Sequence, residues 1–371
     1  MKVFTQFVRK TRTFGQRLLT PGNTLPQRVV HAGFWAFSLK IINRLFGLAR
    51  TIILARLLSP EDFGLFGIAL LALSALESFS QTGFDAALIQ TKKDIKPYLN
   101  TAWTVQILRG FALALILAAS APLVATFFKE PQAAILLQVL AFVSVFNGFT
   151  NIGVVFFQKR LEFYKQFVYV FSGTLADLMV SISAALLLRN AWALTYGYLA
   201  SALARLVSSF ILSPERPRFQ FTWSQAKELF SYGKWLSGVS VLAYLSTQGD
   251  RIIVGKLIGT EALGLYQIAS QLVRLPTIEI SKDIIGAVTF PALSAMNDNR
   301  QQAKAFLYNI EVNALLIMPL GAVLLLLADP IVFFLFGQQW MPAVPAIKLL
   351  VVAALLTGFR EMDFKMYLAT G

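Results

Sequence analysis

Residues 50–69 read RTIILARLLSPEDFGLFGIA, and residues 250–269 read DRIIVGKLIGTEALGLYQIA. Set 200 positions apart without a gap, Ile52, Ile53, Leu57, Glu61, Gly64, Leu65, Ile68 and Ala69 recur as Ile252, Ile253, Leu257, Glu261, Gly264, Leu265, Ile268 and Ala269. Arg56 is answered by Lys256, and Phe66 by Tyr266. A period this long marks a duplicated half, because solenoid repeats are far shorter. In each copy an apolar run closes on a basic residue, turns through a short acidic segment and reopens beside a glycine and an aromatic. The pattern predicts two membrane helices joined by a tight turn, built twice. Gly64 and Gly264 are expected to let helices pack closely.

The rest of the chain supports a polytopic, all-α membrane protein. Of its 371 residues 56% are hydrophobic, 32 are Phe, and only 14% are charged, against about a quarter in soluble domains. Apolar runs long enough to cross the hydrocarbon are expected at 29–56, 63–89, 99–126, 133–157, 166–188, 192–212, 229–255, 262–290, 307–335 and 343–368. The domain plan is a basic lead-in over 1–28, a six-helix lobe over 29–212, a linker over 213–228 and a second lobe over 229–371. A second lobe equal to the first needs two more spans, so the chain is expected to be C-terminally truncated.

The net charge of +14 lies in the connections, which argues for membrane topology and against nucleic-acid binding. Lys2, Arg9, Lys10, Arg12, Arg17, Arg28, Lys92, Lys93, Lys96, Lys159, Arg160, Lys165, Arg216, Arg218, Lys227, Arg300 and Lys304 fall on one side. Only Arg56, Lys129, Arg189 and Lys256 fall on the other, a division of 17 to 4. The positive-inside rule then makes the N-terminus cytoplasmic. With no cysteine and one histidine, His31, thiol chemistry and paired-histidine metal or catalytic sites are excluded, and no cofactor is expected. His31 is given no function.

Polar residues inside the spans gather on stripes. At 100° per residue, Lys40, Asn43, Arg44, Gly47, Arg50 and Thr51 fall within about 120° of one another. In the seventh span Lys234, Ser237, Ser240, Tyr244, Thr247, Gln248 and Arg251 share a side. Gln267, Ser270, Gln271, Arg274, Thr277 and Ser281 share another in the eighth, and Ser74, Glu77, Gln81 and Asp85 form a narrower stripe in the second. Charges at membrane depth cost at least about 2.5 kcal/mol each and therefore face a bundle interior or water. The expectation is a hydrated, cationic central cavity with Lys40, Arg44, Arg109, Arg205, Lys234, Arg251 and Arg274 as candidate substrate-binding residues. Such a lining suits phosphate or pyrophosphate, for which Arg offers paired donors. For Arg50, Arg109 and Arg205 a structural pairing or a snorkelling role weighs equally. Glu77, Asp85 and Asp250 are candidate ion-coupling carboxylates, with pairing to nearby arginines as the alternative. Pro276 and Pro319 are expected to kink their helices.

The stretch LARLLSPEDFGLFGIA followed by FSQTGFDAALIQ resembles bacterial polysaccharide flippases, the Wzx-type lipopolysaccharide, colanic-acid and exopolysaccharide exporters of the multidrug/oligosaccharidyl-lipid/polysaccharide superfamily. QGDRIIVGKLIGTEALGLYQIASQLVRLP and FPALSAM in the second half resemble the same group. The resemblance implies two pseudo-symmetric helical lobes and transfer of an undecaprenyl-diphosphate-linked oligosaccharide across the bacterial inner membrane. Implied partners are membrane lipids, a polysaccharide polymerase and assembly proteins. A drug or cation antiporter of the same superfamily is the first rival, disfavoured by the excess of Arg and Lys over Asp and Glu on the stripes. A membrane polymerase or ligase is the second, disfavoured because the expected outer loops are too short for a folded catalytic segment. A passive channel has no filter-like motif to support it.

Overall fold

A computed structural model describes residues 25–80, 96–160, 162–274 and 299–370, with side chains described over most of that span. Residues 1–24 of the lead-in, Gln81, Asp85, Pro276, and the side chains of His31 and Lys234 lie outside the described residues. All regular structure among the described residues is helical. The helices are α1 (Leu25–Leu57), α2 (Pro60–Phe79), α3 (Leu99–Phe128), α4 (Pro131–Phe149), α5 (Val155–Lys159), α6 (Phe163–Leu188), α7 (Trp192–Leu212), α8 (Trp223–Leu257), α9 (Thr260–Arg274), α10 (Asn299–Leu335) and α11 (Val344–Thr370). By length and composition, six stretches among the described residues can cross a membrane: Pro60–Phe79, Leu99–Phe128, Pro131–Phe149, Phe163–Leu188, Ile310–Leu335 and Gln338–Thr357. The chain is a multi-pass, all-α membrane protein.

Two expectations are corrected. The fourth span, read as continuous from 133 to 157, stops at Phe149 and is interrupted before α5. Asn151 takes an extended backbone, and its Oδ1 accepts from the Gly153 amide at 2.8 Å. That side chain offers the backbone a local partner in place of the helical ladder. In α10 the non-helical residue is Leu327 (φ −109°, ψ 16°), three positions before Pro330, whereas the expected kink was at Pro319. A proline ring crowds the preceding turn wherever it stands, but in this helix the break sits with Pro330.

The chain divides by packing into two compact units. The first comprises residues 1–57 and 68–250, the second residues 58–67 and 251–371. This is not a division by repeat. The segment Ser213–Lys227, expected between lobes, belongs to the first unit, and α2 and α8 each run from one unit into the other.

In the first unit α6 packs on α7 and α1, α3 on α4, and α4 on α7. Leu99, Ala102, Trp103, Ile107, Ile152, Val155 and Phe156 form one apolar cluster beneath the interrupted α4–α5 segment. In the second unit α11 packs on α10 and α9. The turn of the first repeat copy also lies here. Ser59 and Asp62 cap α2 reciprocally: Asp62 Oδ2 accepts from the Ser59 amide at 2.9 Å, and Ser59 Oγ accepts from the Asp62 amide at 3.2 Å. With Pro60 at the first helical position, this is an N-terminal start written in sequence. A Cβ added to Gly64 would collide with the Thr260 carbonyl oxygen, and one added to Gly264 with the Pro60 carbonyl oxygen. Pro60 and Thr260 are themselves 200 positions apart, so the two repeat copies contact each other symmetrically, backbone to backbone.

Candidate functional site: a polar cavity in the first unit

Two glycines bring α3 and α4 together. A Cβ on Gly110 would stand 2.6 Å from the Ser144 carbonyl oxygen, and one on Gly148 would stand 3.2 Å from that of Gln106. Close approach of backbones is what small residues permit between membrane helices. In each helix the glycine ends the same short pattern, QILRG over 106–110 and SVFNG over 144–148. The polar members of each pattern, three residues apart, share a face. Gln106 and Arg109 therefore oppose Ser144 and Asn147.

These four side chains, with Glu77 from the end of α2, line a partly open cavity of about 350 Å³. Thr150 and Asn151 from the interruption after α4, Gln158 from α5, and Gln166 and Tyr169 from the start of α6 complete its polar wall. Leu113, Ile152, Val154 and Val155 supply apolar surface. Non-helical backbone within a membrane bundle is tolerated where it lines such a cavity. Gln106 Nε2 donates to the carbonyls of Asn147 at 2.7 Å and Thr150 at 3.3 Å, satisfying groups that the end of α4 releases.

Glu77 Oε1 accepts from Asn147 Nδ2 at 3.2 Å, and no hydrogen bond among the described residues occupies its other oxygen. Ser144 is 2% exposed and its Oγ has no hydrogen-bond partner among the described residues. Arg109 is held beside them: its Nε and Nη2 donate to Ser80 Oγ at 3.1 and 3.0 Å, and Nη2 also donates to the Glu77 carbonyl at 3.0 Å.

A second polar group ties α1 to α6 in the same unit. Thr174 Oγ1 donates to Asn43 Oδ1 at 2.6 Å, and Arg50 Nε stands 2.9 Å from Asp177 Oδ2. Asn43 and Arg50, two members of the polar arc, are thus committed to α6, and for Arg50 this is the structural pairing that weighed equally with a cavity role. Gly197 on α7 makes room for this pair, since a Cβ there would stand 2.5 Å from Asp177 Oδ1. Tyr244, from the stripe of the seventh span, is buried and donates to the Leu71 carbonyl at 2.6 Å.

Among the cationic candidates, Arg109 borders the cavity and Arg205 on α7 donates from Nη2 to Ser201 Oγ at 2.8 Å. Lys40 is exposed and Arg44 partly buried on α1. Arg251 is partly buried, while Asp250 and Arg274 are exposed. Of the three candidate coupling carboxylates, Glu77 lines the cavity. Gln106, Ser144, Asn147, Gln158 and Gln166 were not singled out from sequence. The paired pattern of two polar residues and a following glycine was the available signal.

Comparison with known proteins places this fold. The succinoglycan biosynthesis transport protein ExoT of Rhizobium meliloti (strain 1021) is 26% identical over 302 residues, covering 81% of this chain and 61% of that protein. The chain thus spans about three fifths of the length of the curated relatives it matches. Among solved structures, the lipid II flippase MurJ in its inward closed conformation is similar at a TM-score of 0.73 and 14% identity, covering 91% of this chain and 76% of that one. An inward-facing multidrug resistance MATE family transporter of the MOP superfamily is similar at 0.68 and 16% identity, covering 88% and 81%. At these identities the likenesses show a shared fold. The family model described as polysaccharide biosynthesis protein matches residues 53–345, and the chain belongs to that family.

Proposed function

We propose that the chain carries an undecaprenyl-diphosphate-linked oligosaccharide from the cytoplasmic to the periplasmic leaflet of the bacterial inner membrane. The observation that carries this reading is the interrupted α4–α5 segment opening onto a polar cavity inside an apolar helical bundle. Membrane carriers use broken helices in this way, because unwound backbone and polar side chains can then meet a hydrophilic cargo. Membership of a polysaccharide biosynthesis family and the likeness to a transport relative support a saccharide cargo.

In this reading the protein is a carrier, not an enzyme, and its N-terminus is cytoplasmic. The functional division in this reading is a six-helix lobe over 29–212 and a second lobe over 229–371, with Ser213–Lys227 as the cytoplasmic connection. Lys40, Arg44, Lys234, Arg251 and Arg274 serve the diphosphate headgroup, and Arg109 and Arg205 contribute positive field from their anchored positions. Glu77, Asp85 and Asp250 serve ion coupling, and a polymerase and assembly proteins are partners in the membrane.

The test is deletion of the gene followed by assay of lipid-linked oligosaccharide in each leaflet. The expected result is accumulation in the inner leaflet and loss of surface polymer. Unchanged polymer with unchanged lipid precursors overturns the reading.

A further inference from the structure

We infer that the first unit's cavity is a subsite for a neutral, polyhydroxylated sugar of the cargo, distinct in chemistry from any site for the diphosphate. The inference rests on the carrier reading above and adds to it which part of the cargo binds here.

The cavity's chemistry selects its ligand. Amides carry both donors and acceptors, as a sugar hydroxyl does, and a hydroxyl wall answers them in the same terms. Ser144 Oγ is buried at 2% exposure, borders the cavity and has no partner among the described residues. A buried polar group without a partner costs free energy, and a ligand hydroxyl reaching Oγ removes that cost. Gln158 and Gln166 border the cavity with no side-chain hydrogen bond among the described residues. The second oxygen of Glu77 is likewise unclaimed there, while Asn147 holds the first. Carboxylates accept strongly from hydroxyl donors.

The same carboxylate disfavours a diphosphate. A phosphate oxygen beside Glu77 meets like charge, and the nearby guanidinium of Arg109 is already bonded to Ser80 and to the Glu77 carbonyl. A cationic drug is disfavoured by that same guanidinium. What remains is an uncharged hydroxyl-rich group, with Leu113, Ile152, Val154 and Val155 offering apolar surface for its C–H face. The volume of about 350 Å³ lies at the small end of ligand pockets, roughly 300–1,000 Å³. It suits one terminal sugar better than an entire oligosaccharide.

The chain contains no cysteine, so a single introduced thiol reports on one position. Gln166→Cys, and separately Gln158→Cys, are made in the full chain and reconstituted in nanodiscs. Labelling by a neutral maleimide is then timed in the presence of uncharged hexoses, N-acetylhexosamines and disaccharides, or of inorganic pyrophosphate. The expected result is slowing of several fold by at least one neutral sugar at both positions, and none by pyrophosphate. Adding Glu77→Gln to either reporter shifts the protecting sugar concentration upward about tenfold, one charge-assisted hydrogen bond's worth. Protection by pyrophosphate alone overturns the sugar assignment while leaving the carrier reading standing. Absence of protection by every sugar overturns it too, as does protection that Glu77→Gln leaves unchanged. Failure of the carrier reading itself is seen separately, in the lipid-precursor assay.

Discussion

At the scale of single residues, space around glycine separates positions that look alike in sequence. Gly64 and Gly264 each face a carbonyl oxygen of the opposite repeat copy, whereas a Cβ on Gly47 or Gly249 meets nothing within 4 Å. Gly64→Ala and Gly264→Ala are therefore expected to lower the thermal unfolding midpoint in detergent, each by an overpacking cost of about 1–3 kcal/mol. Gly47→Ala and Gly249→Ala, in helix interiors, are expected to raise it slightly, by up to about 1 kcal/mol. Equal effects at all four positions would refute the contact between repeat copies. The close-packing role of Gly64 and Gly264 was legible because the repeat marked them. The fate of Arg50 was not, because its partner Asp177 lies 127 positions away on α6 and no local pattern links the two. Since both are only partly exposed, Asp177→Leu alone should destabilise by a few kcal/mol by stranding a cation. The double substitution Arg50→Met/Asp177→Leu should recover most of that loss in the same melting assay.

At the scale of elements, periodicity and hydropathy located nearly every helix, since apolar length and start signals such as Ser59-Pro60-Glu61-Asp62 are local properties. The interruption after Phe149 was missed because it depends on a side chain competing for the backbone within an otherwise apolar run. Asn151 holds that interruption from both sides, accepting from the Gly153 amide and donating to the Glu215 carbonyl at 2.8 Å. Its own amide donates to Ser209 Oγ at 3.0 Å. Asn151→Ala removes both side-chain bonds and leaves buried groups unpaired, at about 1–3 kcal/mol. Because the interruption forms part of the cavity wall, thiol labelling of Gln158→Cys should change rate in the Asn151→Ala background. An unchanged rate would mean that Asn151 does not shape the cavity. The polar wall itself was half legible. Glu77 and Arg109 were singled out as charges, while the neutral amides beside them carry no cost large enough to stand out in a single sequence.

At the scale of the whole molecule, the distribution of charge is expected to set the chain's orientation in the membrane, and helix ends give a local reason for the exceptions. The four basic residues on the poorer side all stand at helix C-terminal ends: Arg56 and Lys256 in the last turns of α1 and α8, Lys129 and Arg189 as C-caps of α3 and α6. Lys129 and Arg189 adopt the left-handed backbone usual for glycine there, with φ of 62° and 50°. A cation at a helix C-terminus is favoured by the exposed carbonyls and the dipole by about 0.3–1 kcal/mol. These four therefore have a local reason to be basic. Arg216 and Arg218, in the connection between α7 and α8, have no such local reason and are the residues expected to carry the topological signal. With no native cysteine to remove, the orientation can be read directly. An impermeant thiol reagent added to intact cells should label Lys129→Cys and Arg189→Cys and leave Arg216→Cys untouched until the membrane is opened. The reverse pattern would invert the protein in the membrane. The cavity bordered by Gln158 and Gln166, adjacent in the chain to Lys159, Arg160 and Lys165, would then load from the periplasmic side, and export could not be its direction.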